Sequence, residues 1–129
     1  MVDGTRTSRS YKDLEVYQLA HAIGVKIHKF SLKLPKFELY ETGGQLRRAS
    51  KSVSANIVEG YGRRRYKAEF IRFLVFAQAS CDETIEWMEY VKDCHEQLTE
   101  VEVLLQDLDK VGRKLNRFIQ AVEESHMAG

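Results

Sequence analysis

A single proline, Pro35, interrupts the 129 residues, and that scarcity constrains the fold more than any other feature. Proline removes a backbone donor and clashes with the preceding helical turn, so a chain with one of them is free to form long helices. The apolar residues use that freedom. From Asp13 to about Lys33, Leu14, Tyr17, Ala20, Gly24, Ile27 and Ser31 recur at helical steps, and Leu34 completes the face. Ser10 and Asp13 are spaced like a capping pair ahead of this segment. Pro35 disfavours helical geometry at Leu34, and the connection runs through Lys36 and Phe37.

Three further segments follow. Thr42 with Gln45 signals a start, Leu46, Ala49, Val53 and Ile57 carry the period, and Gly60 and Gly62 are expected to stop it. A basic turn of Arg63, Arg64, Arg65, Tyr66 and Lys67 feeds a third stripe of Phe70, Leu74, Ala77, Cys81, Ile85, Met88, Val91 and Leu98, with one longer step across His95. Thr99 and Glu102 form the best capping box, ahead of Val101, Leu104, Leu105, Leu108, Val111, Leu115, Phe118, Ile119 and Val122. Four amphipathic segments joined by short connections predict an all-α fold, an antiparallel up-down-up-down four-helix bundle over 11–122. A flexible N-terminal tail over 1–10 and a frayed C-terminal tail over 123–129 are expected to flank it.

Composition narrows the function classes. At 43% apolar and 30% charged residues, a chain this long buries roughly two-thirds of its unfolded surface without a staple. Cys81 and Cys94 lie outside any C-x-x-C spacing, so neither a disulfide framework nor a zinc site follows, and a reducing, cytoplasmic setting is the expectation. No apolar run approaches the ~20 residues of a membrane span. The formal charge of +1 excludes a globally basic nucleic-acid binder.

That near-neutrality hides segregation. Between Gln45 and Arg72 stand eight bases and two acids, a balance of +6; between Asp82 and Asp109 stand ten acids and one base, a balance of −9. An antiparallel bundle is thereby expected to carry a basic end and an acidic end. Arg47, Arg48, Lys51, Arg63, Arg64, Arg65 and Lys67 are the candidate nucleic-acid contacts, holding phosphates by charge while Tyr61 or Tyr66 stacks an unpaired base. The competing reading is a solvated surface or one that steers subunit pairing.

Ser52, Asn56, Glu59 and Arg63 share one face of the second segment, beside its apolar stripe. Asn is a poor helix-interior residue, so its amide is expected to bond to a neighbouring helix or loop, with the group fixing register or subunit pairing. Glu59 is expected to bond backbone donors or Arg63. Trp87 and Tyr90 fall beside the main stripe of the third segment, as candidates for a subunit contact or for shielding by the first helix. Cys81 lies on the apolar stripe and reads as core rather than nucleophile. Only Glu123 and His126 have the Glu-x-x-His spacing of a bundle metal site, and His21 and His28 lack it; no metal, no cofactor and no catalytic residue is expected.

The run S-V-S-A-N-I-V-E-G-Y-G-R-R from Ser52 to Arg64, with Q-L-R-R-A-S before it, K-A-E-F-I-R-F-L after it and Y-K-D-L-E-V-Y near the start, resembles the bacterial four-helix bundle family of the 23S rRNA intervening-sequence proteins. The resemblance covers about Tyr11 to Phe118. Asn56, Glu59 and Gly60 carry its signature, and Arg47, Arg48, Arg63 and Arg64 its positive charge. It implies homo-oligomers, commonly a pentameric ring, and kinship with the accessory proteins of diversity-generating retroelements, which contact nucleic acid and reverse transcriptase. The acidic stretch from Asp82 to Asp109 departs from their strong basicity and argues against a retroelement role. The family supplies no catalytic residue. The combined expectation is a non-enzymatic homo-oligomer that binds RNA or single-stranded DNA at an arginine-rich end, the alternative being a protein-interaction scaffold.

Overall fold

The computed structural model describes residues 10–125. Among them stand four long helices, α1 (Glu15–Ser31), α3 (Thr42–Gly62), α4 (Lys67–Cys94) and α5 (Val101–Glu124), together with a one-turn helix α2 (Lys36–Leu39) and a 3-10 turn at Tyr11–Asp13. The expected tails fall outside the described residues except for Ser10 and 123–125, and α5 continues through Glu124.

Cross-helix pairs give the topology. Lys114, Asp107 and Glu100 of α5 and the turn before it meet Glu15, Lys26 and, just past α1, Lys33 in reverse order, which sets these helices antiparallel. Lys92 pairs with Glu102, Cys81 Sγ donates to Leu108 O and Lys67 Nζ donates to Ser125 O, so α4 and α5 also run in opposite directions. The turn at Arg63–Tyr66 reverses α3 into α4. α1 packs on α3 and α5, α4 packs on the same two, and α1 and α4 take opposite corners.

The core follows the apolar stripes. Ala20, Ile27, Leu46, Val53, Ile57, Leu74, Ala77, Cys81, Met88, Leu108 and Leu115 are fully buried, each large side chain contributing about 1.5–3 kcal/mol relative to exposure. Thr84, not Ile85, takes the buried position of α4; its hydroxyl donates to Ser80 O at 2.8 Å, so the polar atom is satisfied within the helix.

Local start and stop signals are less faithful than the stripes. Ser10 caps the 3-10 turn through Lys12 N rather than α1, whose N-cap is Leu14. Thr42 donates to Glu38 Oε1 instead of capping α3, and the N-cap of α5 is Glu100, without a side-chain bond from Thr99. Gly60 does not stop α3. It is buried inside the helix, and a Cβ there would lie 3.0 Å from Phe73 Cβ and 3.2 Å from Phe70 O. Glycine is required because α4 approaches the α3 backbone closely at that point.

Candidate nucleic-acid interface

The arginine turn is built by the hairpin itself. Arg63 N donates to Gly60 O and Tyr66 N to Arg63 O, which folds the chain back within four residues. Arg63 is fixed from three sides. Its Nη2 lies 3.0 Å from Glu59 Oε2, its Nη1 lies 3.5 Å from Glu69 Oε1, and its guanidinium sits 4.8 Å from the Phe73 ring centroid. Arg72 is 3.6 Å from Glu69 and stacks near both Phe73 and Phe76. Arg64 covers Tyr61 at 4.0 Å and donates to Tyr61 O.

Two consequences follow for binding. The Tyr61 face under Arg64 is occupied and Phe70 meets the same ring edge-on, so the exposed aromatic available to an unpaired base is Tyr66. Charge at the turn is partly compensated from within by Glu59 and Glu69. Arg65 remains exposed without an ion-pair partner among the described residues, and Lys67 Nζ donates a hydrogen bond to the Ser125 carbonyl.

The other three candidate cations are elsewhere. Arg48 precedes Arg63 by fifteen residues, about 22 Å along the axis, so the basic stretch of sequence forms two clusters, one in the first half of α3 and one at its C-terminal end, rather than one. Arg47 is half-buried and structural: Nη1 donates to Ser31 Oγ at 2.8 Å and Nη2 to Leu39 O at 2.9 Å, closing the α1–α3 connection. Arg48 and Lys51 are exposed and form no ion pair among the described residues.

The polar face of α3 is satisfied within its own helix. Ser52 Oγ donates to Arg48 O and Asn56 Nδ2 to Ser52 O at 2.8 Å, so the expected bond from Asn56 to another element is replaced by one to the preceding turn. A half-buried amide on a helix edge can reach the i−4 carbonyl without leaving its rotamer well. Glu59 bonds Arg63, one of the two outcomes the spacing allows.

Trp87 and Tyr90 belong to a feature that single residues did not reveal. On α4, positions 73, 76, 80, 83, 87, 90 and 94 repeat at alternating steps of three and four beside the buried stripe, so the helix carries a second seam. Phe73 and Phe76 occupy one end, in edge-to-face contact at 5.5 Å; Trp87 and Tyr90 occupy the other. Phe76 is 41% and Tyr90 55% exposed. Trp87 Nε1 donates to Glu83, and the groove beside it is lined by Glu38 and Thr42, so the shielding comes from α2 and α3 rather than α1.

Cys81 is buried on the α4 stripe. Burial, with Asp82 and Asp109 nearby, pushes the Cys81 thiol up to about 11, leaving it protonated at neutral pH. Among the described residues no three or more His, Cys, Asp or Glu side chains gather as metal ligands, and His126 lies outside them. No helix of the described residues is long and apolar enough to cross a membrane. His95 was hidden by the stripe it appeared to interrupt. It is buried just past α4, with Nε2 at 3.0 Å from Glu38 Oε2 and its ring 6.3 Å from Phe37.

A family model described as 23S rRNA-intervening sequence protein matches residues 12–117. A solved structure from Bacteroides thetaiotaomicron, described as a protein of unknown function from the S23 ribosomal protein family, superposes with a TM-score of 0.69 at 23% identity, covering 81% of this chain and 97% of that one. At that identity the likeness bears on the fold. No curated protein matches the chain.

Proposed function

The chain belongs to the 23S rRNA-intervening sequence protein family, and from that premise we propose that it is a non-enzymatic helical bundle that self-assembles and contacts RNA or single-stranded nucleic acid through the arginine turn. The observation that carries assembly is the second seam of α4. Phe76 and Tyr90 stand exposed on this row beside the partly buried Phe73 and Trp87, and a heptad-spaced row of that kind is the pattern by which one helix receives another. The seam is also polar in charge. Arg63 and Arg72 flank Phe73, whereas Glu83, Glu86 and Glu89 surround Trp87 and Tyr90, so a second copy has a complementary end to meet. A five-copy ring is the stoichiometry the family resemblance implies.

Nucleic-acid contact is supported by Arg64, Arg65, Tyr66 and Lys67 on one short turn, with Arg63 held in place by Glu59 and Glu69. If about five phosphates are neutralised, the logarithm of affinity for RNA falls against the logarithm of salt with a slope of about −0.7 to −0.9 per phosphate. Reversal of Arg63, Arg64 and Arg65 to Glu is expected to abolish binding. Unchanged binding in that variant, or none in the parent at low salt, supports the scaffold reading instead, which the internal compensation of Arg63 and Arg72 favours.

A further inference from the structure

A groove on the face where α1 meets α3 lies apart from both the arginine turn and the α4 seam. It holds about 360 Å³, near the lower end of the range occupied by small-molecule sites. His21, Val25, His28 and Lys29 line it from α1 and Lys51 from α3, with Gly24 between them, and no carboxylate is among the lining residues. His28 Nδ1 is shielded from solvent and has no hydrogen-bond partner among the described residues.

Gly24 adds an independent observation. A Cβ there would meet nothing closer than Ser50 O at 3.7 Å, an ordinary contact. Packing against α3 therefore does not require the glycine, and helix propensity disfavours it. Its missing side chain leaves an opening in the groove, in contrast to Gly60, where the missing side chain admits a neighbouring helix.

We propose that this groove binds a nucleotide unit, a phosphate monoester carrying a nucleobase. The charged residues of the lining, Lys29 and Lys51, are both cationic and suit a monoester, whose charge is about −1.5 to −2 at neutral pH, better than a single carboxylate. The imidazoles of His21 and His28 offer flat faces of the kind that stack unpaired bases. The volume suits one nucleotide rather than two. A free nucleoside monophosphate and the 5′-phosphorylated end of a strand share this chemistry, and the site stands whether or not the arginine turn binds RNA.

The test titrates the full chain with AMP, adenosine and inorganic phosphate, reading heat and the ring C–H signals of the histidines by NMR. AMP is expected to bind and to shift the signals of His21 and His28, with adenosine and phosphate each weaker by about tenfold or more. Lys29→Glu with Lys51→Glu is expected to weaken AMP by at least about tenfold, as is His28→Leu, while Lys110→Glu on α5 leaves it unchanged. Gly24→Ala is expected to keep the helical circular-dichroism spectrum and weaken AMP by narrowing the groove. An advantage of a 5′-phosphorylated over a 5′-hydroxyl oligonucleotide that disappears in Lys29→Glu identifies a strand end as the source; AMP binding without that advantage identifies the free nucleotide. AMP that shifts neither histidine at millimolar concentration, that binds the double lysine variant equally well, or that is matched by inorganic phosphate overturns the proposal.

Discussion

At the arginine-turn end of the bundle, cations meet acids close by in the chain: Glu59 stands four residues before Arg63 and Glu69 six after it. At the opposite end the polar contacts reach far. Arg47 bonds Ser31 across 16 residues and His95 bonds Glu38 across 57. The first set is exposed, so water screens its ion pairs. The second is half-buried and ties α2 and the two long connections to the helices, so it contributes to holding the fold together. Similar side chains thus serve different ends according to burial and chain separation, because water screens the local pairs and the interior does not.

Five substitutions break or sharpen that contrast. Arg47→Ala removes two charge-assisted bonds and leaves the Leu39 carbonyl without its donor, with an expected loss of about 3 kcal/mol in urea unfolding. At the other end it is backbone proximity that matters. Gly60→Ala is expected to cost about 1–3 kcal/mol, since Phe70 O cannot move away without shifting α4. Gly24→Ala at the looser α1–α3 crossing is its control, expected to be neutral or to stabilise by up to about 1 kcal/mol.

Glu38→Gln weakens the contact with His95 and is expected to cost about 1 kcal/mol at neutral pH. Bonds from His95 and Thr42 hold the Glu38 carboxyl below its ordinary value of 4.5. A depressed folded-state value stabilises the protein above the unfolded value and loses that contribution as pH falls through the folded one. The stability difference between wild type and Glu38→Gln is therefore expected to shrink as pH falls below about 4.5 in acid titration. Smallest of all, Glu59→Gln at the exposed turn is expected to change stability by no more than about 0.5 kcal/mol, while altering RNA affinity by releasing Arg63.

What the sequence made legible divides along the same line. The four apolar stripes depend on helical period alone, and every buried residue of α5 falls on its stripe, whereas α1 also buries Val16, Ile23 and Phe30 and α4 buries Thr84 in place of Ile85. Capping depends on a single bond that competes with other local partners: α3 begins at Thr42 as its signal indicates, but the Thr42 hydroxyl found Glu38, and Ser10 found the 3-10 turn. Gly60 was ambiguous because a glycine that ends a helix and one that admits a neighbouring helix are spelled alike. Summing charge from Gln45 to Arg72 treated a 21-residue helix as a point and merged two clusters lying about 20 Å apart. His95 and Glu38 could not be paired in advance, since the connection of each had first to be placed by the packing of the long helices.

Self-assembly through the outer seam of α4 is the claim on which the functional reading rests. Light scattering on the eluting peak measures it directly, with wild type and a Phe76→Glu, Tyr90→Lys variant compared at micromolar concentration. Wild type is predicted to show a multiple of the 14.9 kDa chain mass and the variant, its helical spectrum intact, a single chain. A wild-type peak at one chain mass, or a variant that assembles as wild type does, would contradict the account.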